Sequence, residues 1–342
     1  MRHTTSFCSL ARAAFLCGLL AAATPAFAEQ SFSDVGPDHP IYQAAEYLKA
    51  QGIIAGYDDG TFKPERLVNR AEALKIIIAP LISPEALSQV TSSPFTDVPA
   101  GSWFLPYVEA ARVNGIVDGP PKKEQFLGAN PVIKAEFLKM LELAQQTNPA
   151  TSFQEITLPL ASDVQSSTEW FYPYMRYAIT SSMIMIGTDG LLHPEQQLTR
   201  GDTALFLYRL LMYQQERRTQ ALLSETENEM VVILSMLEGD NIEQAEYASA
   251  RALLAALGAN FKRPNEPIVQ GAVKISEAFR KIVAAYRSGR SGDLESVVSL
   301  CGEAWNLAER AKDLSADLSL ISEQVQTIAS NMADSARALM AQ

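Results

Sequence analysis

One block of sequence occurs three times in this 342-residue chain: an opening near F-x-D-V, a glycine-isoleucine-like middle and an R-A-E-like close. The first copy reads FSDV at Phe32 to Val35, GIIAGYDDGTFKP at Gly52 to Pro64 and NRAE at Asn69 to Glu72. The second reads FTDV at Phe95 to Val98, GIVDG at Gly115 to Gly119 and IKAE at Ile133 to Glu136. The third reads ASDV at Ala161 to Val164, MIMIGTDGLLHP at Met183 to Pro194 and TRGD at Thr199 to Asp202. An ordered set of signatures that recurs defines the architecture before the chemistry of any one residue is considered.

Each copy reads as helix, turn, helix. In the first, Ile41, Ala44, Ala45 and Leu48 fall at helical spacing and Gly52 ends the segment. Tyr57-Asp58-Asp59-Gly60 is a turn sequence, and Asn69 caps a second helix with Ala71, Leu74, Ile77 and Ile78 on its apolar face. The second copy offers Val108, Ala111 and Val113, then Phe137, Leu138 and Leu141. The third offers Tyr174, Tyr177 and Ala178, then Ala204, Leu205, Tyr208 and Leu211. One such pair cannot bury its own apolar side, so the copies must pack on one another. Ser83 to Pro94 and Gln145 to Pro159 read as polar connectors.

The three signatures, together spanning roughly residues 31–213, resemble the S-layer homology family, whose members hold bacterial surface proteins onto the cell wall. The resemblance implies a mainly α fold in which repeats at 31–82, 95–144 and 160–213 close into a pseudo-threefold unit. It also implies grooves between repeats that bind cell-wall polysaccharide, often pyruvate-bearing.

Asn69 with Glu72 and Thr199 with Asp202 have the spacing of a capping box, in which the cap oxygen takes the N3 amide and the acid reaches back. Capping alone therefore explains Glu72 and Asp202. Ile133 occupies the cap position of the second copy, so Glu136 cannot complete a full box there. The basic partners Arg70, Lys134 and Arg200 stand at the first helical residue, where a cation opposes the macrodipole. With free N–H groups nearby they make a cradle for a carboxylate or phosphate. A solvated cation paired with a local acid is the plainer alternative, and lysine offers only a point charge. By resemblance, these positions line the glycan grooves.

The family also places an aromatic after the opening motif, which maps to Trp103 and, displaced by one residue, Trp170. Either indole can stack on a sugar ring or anchor the first helix in the core. The first copy has Pro40 there, so its groove must use other contacts. The turn glycines map to Gly56, Gly119 and Gly187, where either close approach of a ligand or an unusual φ explains the residue.

Arg2, Arg12, the apolar run Ala13 to Ala23 and Ala26-Phe27-Ala28 read as a signal peptide over residues 1–28, with an apolar core too short to span a bilayer. Its removal lowers the basic count from 28 to 26 against 39 acids, a formal charge of −13. Such a chain repels nucleic acid and anionic lipid at long range, so an anionic ligand must be held by local charge. Cys301 alone remains of three cysteines, which excludes an internal disulfide. It reads as a buried small hydrophobe, with a disulfide dimer as the alternative.

The chain carries no paired-cysteine motif, no H-E-x-x-H and no G-x-S-x-G, and Asp58-Asp59-Gly60 lacks the remaining oxygen ligands of a calcium loop. The expectation is a non-enzyme without cofactor or metal; a glycan hydrolase built from two unmarked carboxylates is the alternative. From residue 216 to 342 the repeat pattern stops and Ala, Leu, Ser and Glu dominate. Helices are predicted at 213–237, 241–257, 266–287 and 293–340, the last about 70 Å long at ~1.5 Å per residue. In it Leu294, Val298, Cys301, Trp305 and Ala308, then Leu314, Leu318, Ile321, Val325, Ile328 and Met332, step by four and three. A four-helix bundle with a long C-terminal helix is the expectation, with self-association through the exposed end of that helix as the alternative. The whole reads as an exported, wall-anchored surface protein; an envelope assembly module that binds another protein is the other reading.

Overall fold

The computed structural model describes residues 30–342; the predicted signal peptide lies outside them. Among the described residues the protein is built from twelve α-helices, with no β-strand beyond isolated bridges. Three helix pairs follow the three copies: α1 (Tyr42–Ala50) with α2 (Arg70–Ile78), α4 (Leu105–Val113) with α5 (Lys134–Ala144), and α6 (Tyr172–Thr180) with α7 (Arg200–Gln214). The first connector holds a short helix, α3 (Pro84–Ser88), capped by the Ser83 hydroxyl on the Ala86 amide.

Backbone exchange closes the three repeats into a ring. The Val68 amide donates to Leu198 O, Leu198 to Val132 O and Val132 to Val68 O, each at 3.0 Å. All three residues are buried, so a pseudo-threefold axis runs through paired main chain that has no access to water. Within each repeat the motif aspartate fastens the turn: Asp34 accepts from Phe62 and Lys63 at 2.7 Å, Asp97 from Phe126 and Leu127 at 2.7 Å. Asp163 does the same for Leu192 and His193 at 3.1 and 2.7 Å. The second residue of each pair, Lys63, Leu127 or His193, has φ between 52° and 59°, a left-handed conformation that the two charge-assisted bonds help to hold.

Most residues of the predicted apolar faces are buried; Tyr174, Leu205, Tyr208 and Leu211 are half-buried, and Val113 is exposed at the end of α4. The caps follow the sequence too. Glu72 accepts from the Asn69 amide at 3.0 Å and Asp202 from Thr199 at 2.9 Å, while uncapped α5 has Glu136 at 3.4 Å from the Ile133 amide.

Residues 219–340 form a row of five helices rather than a four-helix bundle with one long terminal helix. They are α8 (Thr219–Glu238), α9 (Ile242–Lys262), α10 (Pro267–Arg290), α11 (Leu294–Leu314) and α12 (Ser319–Met340), each packed chiefly on its neighbours in sequence. The predicted terminal helix breaks at Ser315, which is extended (φ −149°, ψ 126°), and a 3₁₀ turn over Ala316–Leu318 sends α12 back along α11. Folding back lets each half bury the other's small-residue face: Ala304, Ala308 and Ala311 on α11, Val325, Ala329 and Ala333 on α12. That face shares Cys301, Ala308 and Val325 with the expected seam, while Trp305 is left exposed. Close helix approach on alanine outweighs one long helix with its apolar face in water.

The repeat pattern ends where the chain breaks between α7 and α8, yet the core does not stop there. One cluster runs from Phe32 through the repeats into Leu222, Leu253, Leu254, Ala259 and Val269. Arg251 on α9 pairs with Glu229 on α8 at 2.6 Å and donates to Leu160 O in the third repeat at 2.7 Å, all three groups buried. The helical row is thus packed into the repeat unit.

Candidate glycan grooves between the repeats

The motif cations do not stand free at their helix starts. Arg70, Lys134 and Arg200 each reach into the loop of the next repeat in the ring. Arg70 Nε donates to Phe126 O at 3.2 Å, Lys134 Nζ to Leu192 O at 2.7 Å and Arg200 Nε to Phe62 O at 2.9 Å. The helix-start amides are also occupied, which corrects the expectation of free N–H groups. Arg70 and Ala71 donate to Asn130 O and Gly128 O, Lys134 and Ala135 to Gln196 O and Pro194 O, Arg200 and Gly201 to Arg66 O and Pro64 O. A polar main chain buried at an interface needs partners, and the neighbouring loop supplies them. The cations therefore join repeats as well as facing the grooves.

The first groove is a cleft of about 320 Å³ lined by Arg70, the Val117–Phe126 loop, Glu136, Lys139 and Trp170. Arg70 lies over the Phe126 ring at 5.2 Å and pairs with Glu136 at 2.8 Å, its side chain only 17% exposed. Trp170 is 52% exposed, with the Lys139 ammonium 5.9 Å from its ring. The second groove repeats this plan one step round the ring. Arg200 lies over Phe62 and Tyr57 at 4.6 and 5.0 Å and donates to Ala55 O at 3.1 Å. Trp103 is again 52% exposed, with the Lys75 ammonium 5.7 Å from its ring.

The third groove departs from the plan. Pro40 and Leu205 stand at the positions of the tryptophan and the flanking lysine. Burial lowers the Lys134 pKa, and Asp202, Asp163 and Asp189 oppose that shift. His193 in its loop pairs with Asp189 at 2.7 Å, as Lys63 does with Asp59 at 3.0 Å in the first repeat.

Arg70, Glu136 and Trp170 are thus brought together from three repeats at one groove. The equivalent positions are Arg200, Glu72 and Trp103 at the second and Lys134 and Asp202 at the third, while Gly56, Gly119 and Gly187 sit in the loops of their own repeats. None of the three glycines has a positive φ; tight packing accounts for them instead. A Cβ on Gly56 would lie 2.9 Å from Thr61 O, one on Gly119 2.7 Å from Arg112 Cδ, and one on Gly187 2.6 Å from Asp189 Oδ1. Sequence reasoning missed Lys75 and Lys139, although both stand five residues after the motif cation in two of the three copies. It also missed the rings of Phe62 and Phe126 under the two guanidinium groups.

The S-layer homology domain model matches residues 31–74, 94–138 and 162–204. These three segments are S-layer homology domains. The chain is similar to the S-layer protein EA1 of Bacillus anthracis, 26% identical over 182 residues, which cover 53% of this chain and 20% of that protein. It is similar to an amylopullulanase of Thermoanaerobacterium thermosulfurigenes, 24% identical over 183 residues, 54% of this chain and 10% of that protein. A surface layer protein of Brevibacillus choshinensis is 31% identical over 115 residues, 33% of this chain and 10% of that protein. The likeness spans about half of this chain at most and a small part of each relative. The domains place the protein at the cell surface or cell wall as an exported protein. Among the described residues no helix is long and apolar enough to cross a membrane.

Proposed function

We propose that the three S-layer homology domains anchor this protein non-covalently to a cell-wall polysaccharide, and that the helical row of residues 216–342 presents, spaces or oligomerises partners at the surface. The observation that carries the reading is the pair of equivalent grooves with a half-exposed tryptophan beside a lysine and an arginine. An indole in that setting offers a flat face to a sugar ring and an N–H to an acceptor on it. Cations at these grooves supply the local charge that an acidic substituent needs against a chain whose net charge repels it. Two grooves on one rigid ring act together, so retention exceeds what either gives alone.

On this reading the chain is not an enzyme, and the carbohydrate-active names of some relatives describe what their own chains do. The experiment is sedimentation of residues 30–342 with isolated wall sacculi, before and after the secondary polymer is stripped. Retention that disappears on stripping supports the reading. Equal retention on stripped sacculi, or none on either, overturns it in favour of a protein-binding assembly module.

A further inference from the structure

The pseudo-threefold ring provides an internal comparison that separates the grooves by the carboxylates that face their motif cation. At the first groove the Arg70 guanidinium is taken up by Glu136 at 2.8 Å. At the third, Lys134 sits on a backbone carbonyl among Asp163, Asp189 and Asp202. At the second, the equivalent carboxylate is Glu72, and it is held by another residue: Arg66 donates to both of its oxygens, Nη1 at 3.1 Å. Arg200 is in no ion pair among the described residues, and its donors go to the carbonyls of Phe62 and Ala55. Asp34, the other carboxylate nearby, is already held by the amides of Phe62 and Lys63.

Arg66 is peculiar to the first repeat. Its carbonyl accepts from Arg200 N, the contact that Asn130 O makes with Arg70 N and Gln196 O with Lys134 N, so the three positions are equivalent. Only this one carries a cation. We infer that Arg66 is a specificity-determining residue: by engaging Glu72 it leaves Arg200 uncompensated and makes the second groove the subsite for the anionic group of a saccharide. The first groove, with its cation neutralised by Glu136, takes the uncharged part of the polymer, and the third takes no anion. A guanidinium resting on two aromatic rings and freed of carboxylate offers paired donors in one plane, which suits a carboxylate or a phosphate ester.

This inference rests on the groove reading above, and its test uses small probes so that the two can fail separately. The ¹⁵N–¹H signal of Arg200 Nε, identified by its loss in Arg200→Lys, is followed during titration with glucuronate, glucose 6-phosphate and glucose. Glucuronate or glucose 6-phosphate is expected to saturate the signal, the stronger of the two naming the acid, while glucose leaves it unmoved. Arg66→Asn, which installs the residue of the second repeat, should weaken that binding at least about tenfold, because Glu72 turns to Arg200 as Glu136 does to Arg70. Adding Glu72→Gln, which retains capping ability, should restore it to within about threefold. Glu136→Gln should make the Arg70 Nε signal respond to the same acid. Thermal melts confirm that each variant is folded. Anionic sugars that bind no better than glucose, or an unchanged Arg66→Asn, overturn the inference. So does a loss that Glu72→Gln fails to restore, since Arg66 would then touch the ligand itself. Failure to sediment with sacculi alongside the expected titration series would sink the wall reading and uphold this one.

Discussion

A methyl group on Gly258 in α9 would lie 1.8 Å from the carbonyl oxygen of Thr180 at the end of α6. No side-chain rotation relieves that clash, because the obstacle is main chain. The Tyr213 hydroxyl donates to Gly258 O at 3.2 Å at the same contact. The repeat unit and the helical row therefore meet backbone to backbone. Gly258→Ala should destabilise the whole chain by about 1–3 kcal/mol or more through overpacking. Urea denaturation measures it. A fragment ending at residue 215 should melt below the full chain, since it loses the packing of α9 on α6; a fragment as stable as the full chain would show the two parts to be independent.

Arg200→Ala should weaken both folding and wall retention. The side chain bonds two carbonyls of the first repeat across the ring, and hydrogen bonds from a charged donor contribute about 1.5–3 kcal/mol in all when lost. The melting temperature and the sedimented fraction should fall together. Arg200→Lys should keep more stability than binding, since an ammonium can reach a carbonyl, as Lys134 does, and cannot present a planar fork.

Trp103→Ala and Trp170→Ala should separate binding from stability. Each ring is half exposed and packs edge-on against Phe104 or Phe171. Truncation should leave the melt nearly unchanged while lowering wall retention, and the double variant should lose most of it. A large drop in melting temperature with binding intact would make the indoles anchors of the first helices.

Glu142 on α5 gives the fold a pH dependence of defined sign. Both carboxylate oxygens are buried without a hydrogen-bond partner among the described residues. Burial raises its pKa well above the ordinary carboxylate range, with Arg176 opposing. The folded chain thus keeps a proton that the unfolded chain releases. Stability should be highest below the unfolded carboxylate pKa of about 4.3 and fall as pH rises, by at most about 1.4 kcal/mol per pH unit from this group. Glu142→Gln should remove that part of the slope in urea midpoints measured from pH 5 to 8. A slope that survives the substitution would assign it to other groups.

The helix pairs, the turn at Tyr57 to Gly60, the capping boxes and the incomplete cap of α5 were legible in the sequence, because each depends on neighbouring residues. The clamp of Asp34, Asp97 and Asp163 on amides 28 to 30 residues away was not. The ring itself was legible only through resemblance. Spacing could not show that Arg70, Lys134 and Arg200 spend their donors on the next repeat's carbonyls, since those partners lie 56, 58 and 138 residues away. The closed helix starts are likewise products of that closure, whereas Gly56, Gly119 and Gly187 pack against atoms of their own repeats and Glu72 pairs with Arg66 of its own repeat, contacts set by the fold of each loop. At the C-terminus the four-three step identified helical segments correctly and mistook two for one. A helix can continue through Ser315 as far as local propensity is concerned. Burial of two alanine faces against each other is available only when the chain turns back, and that gain exists in the tertiary structure alone.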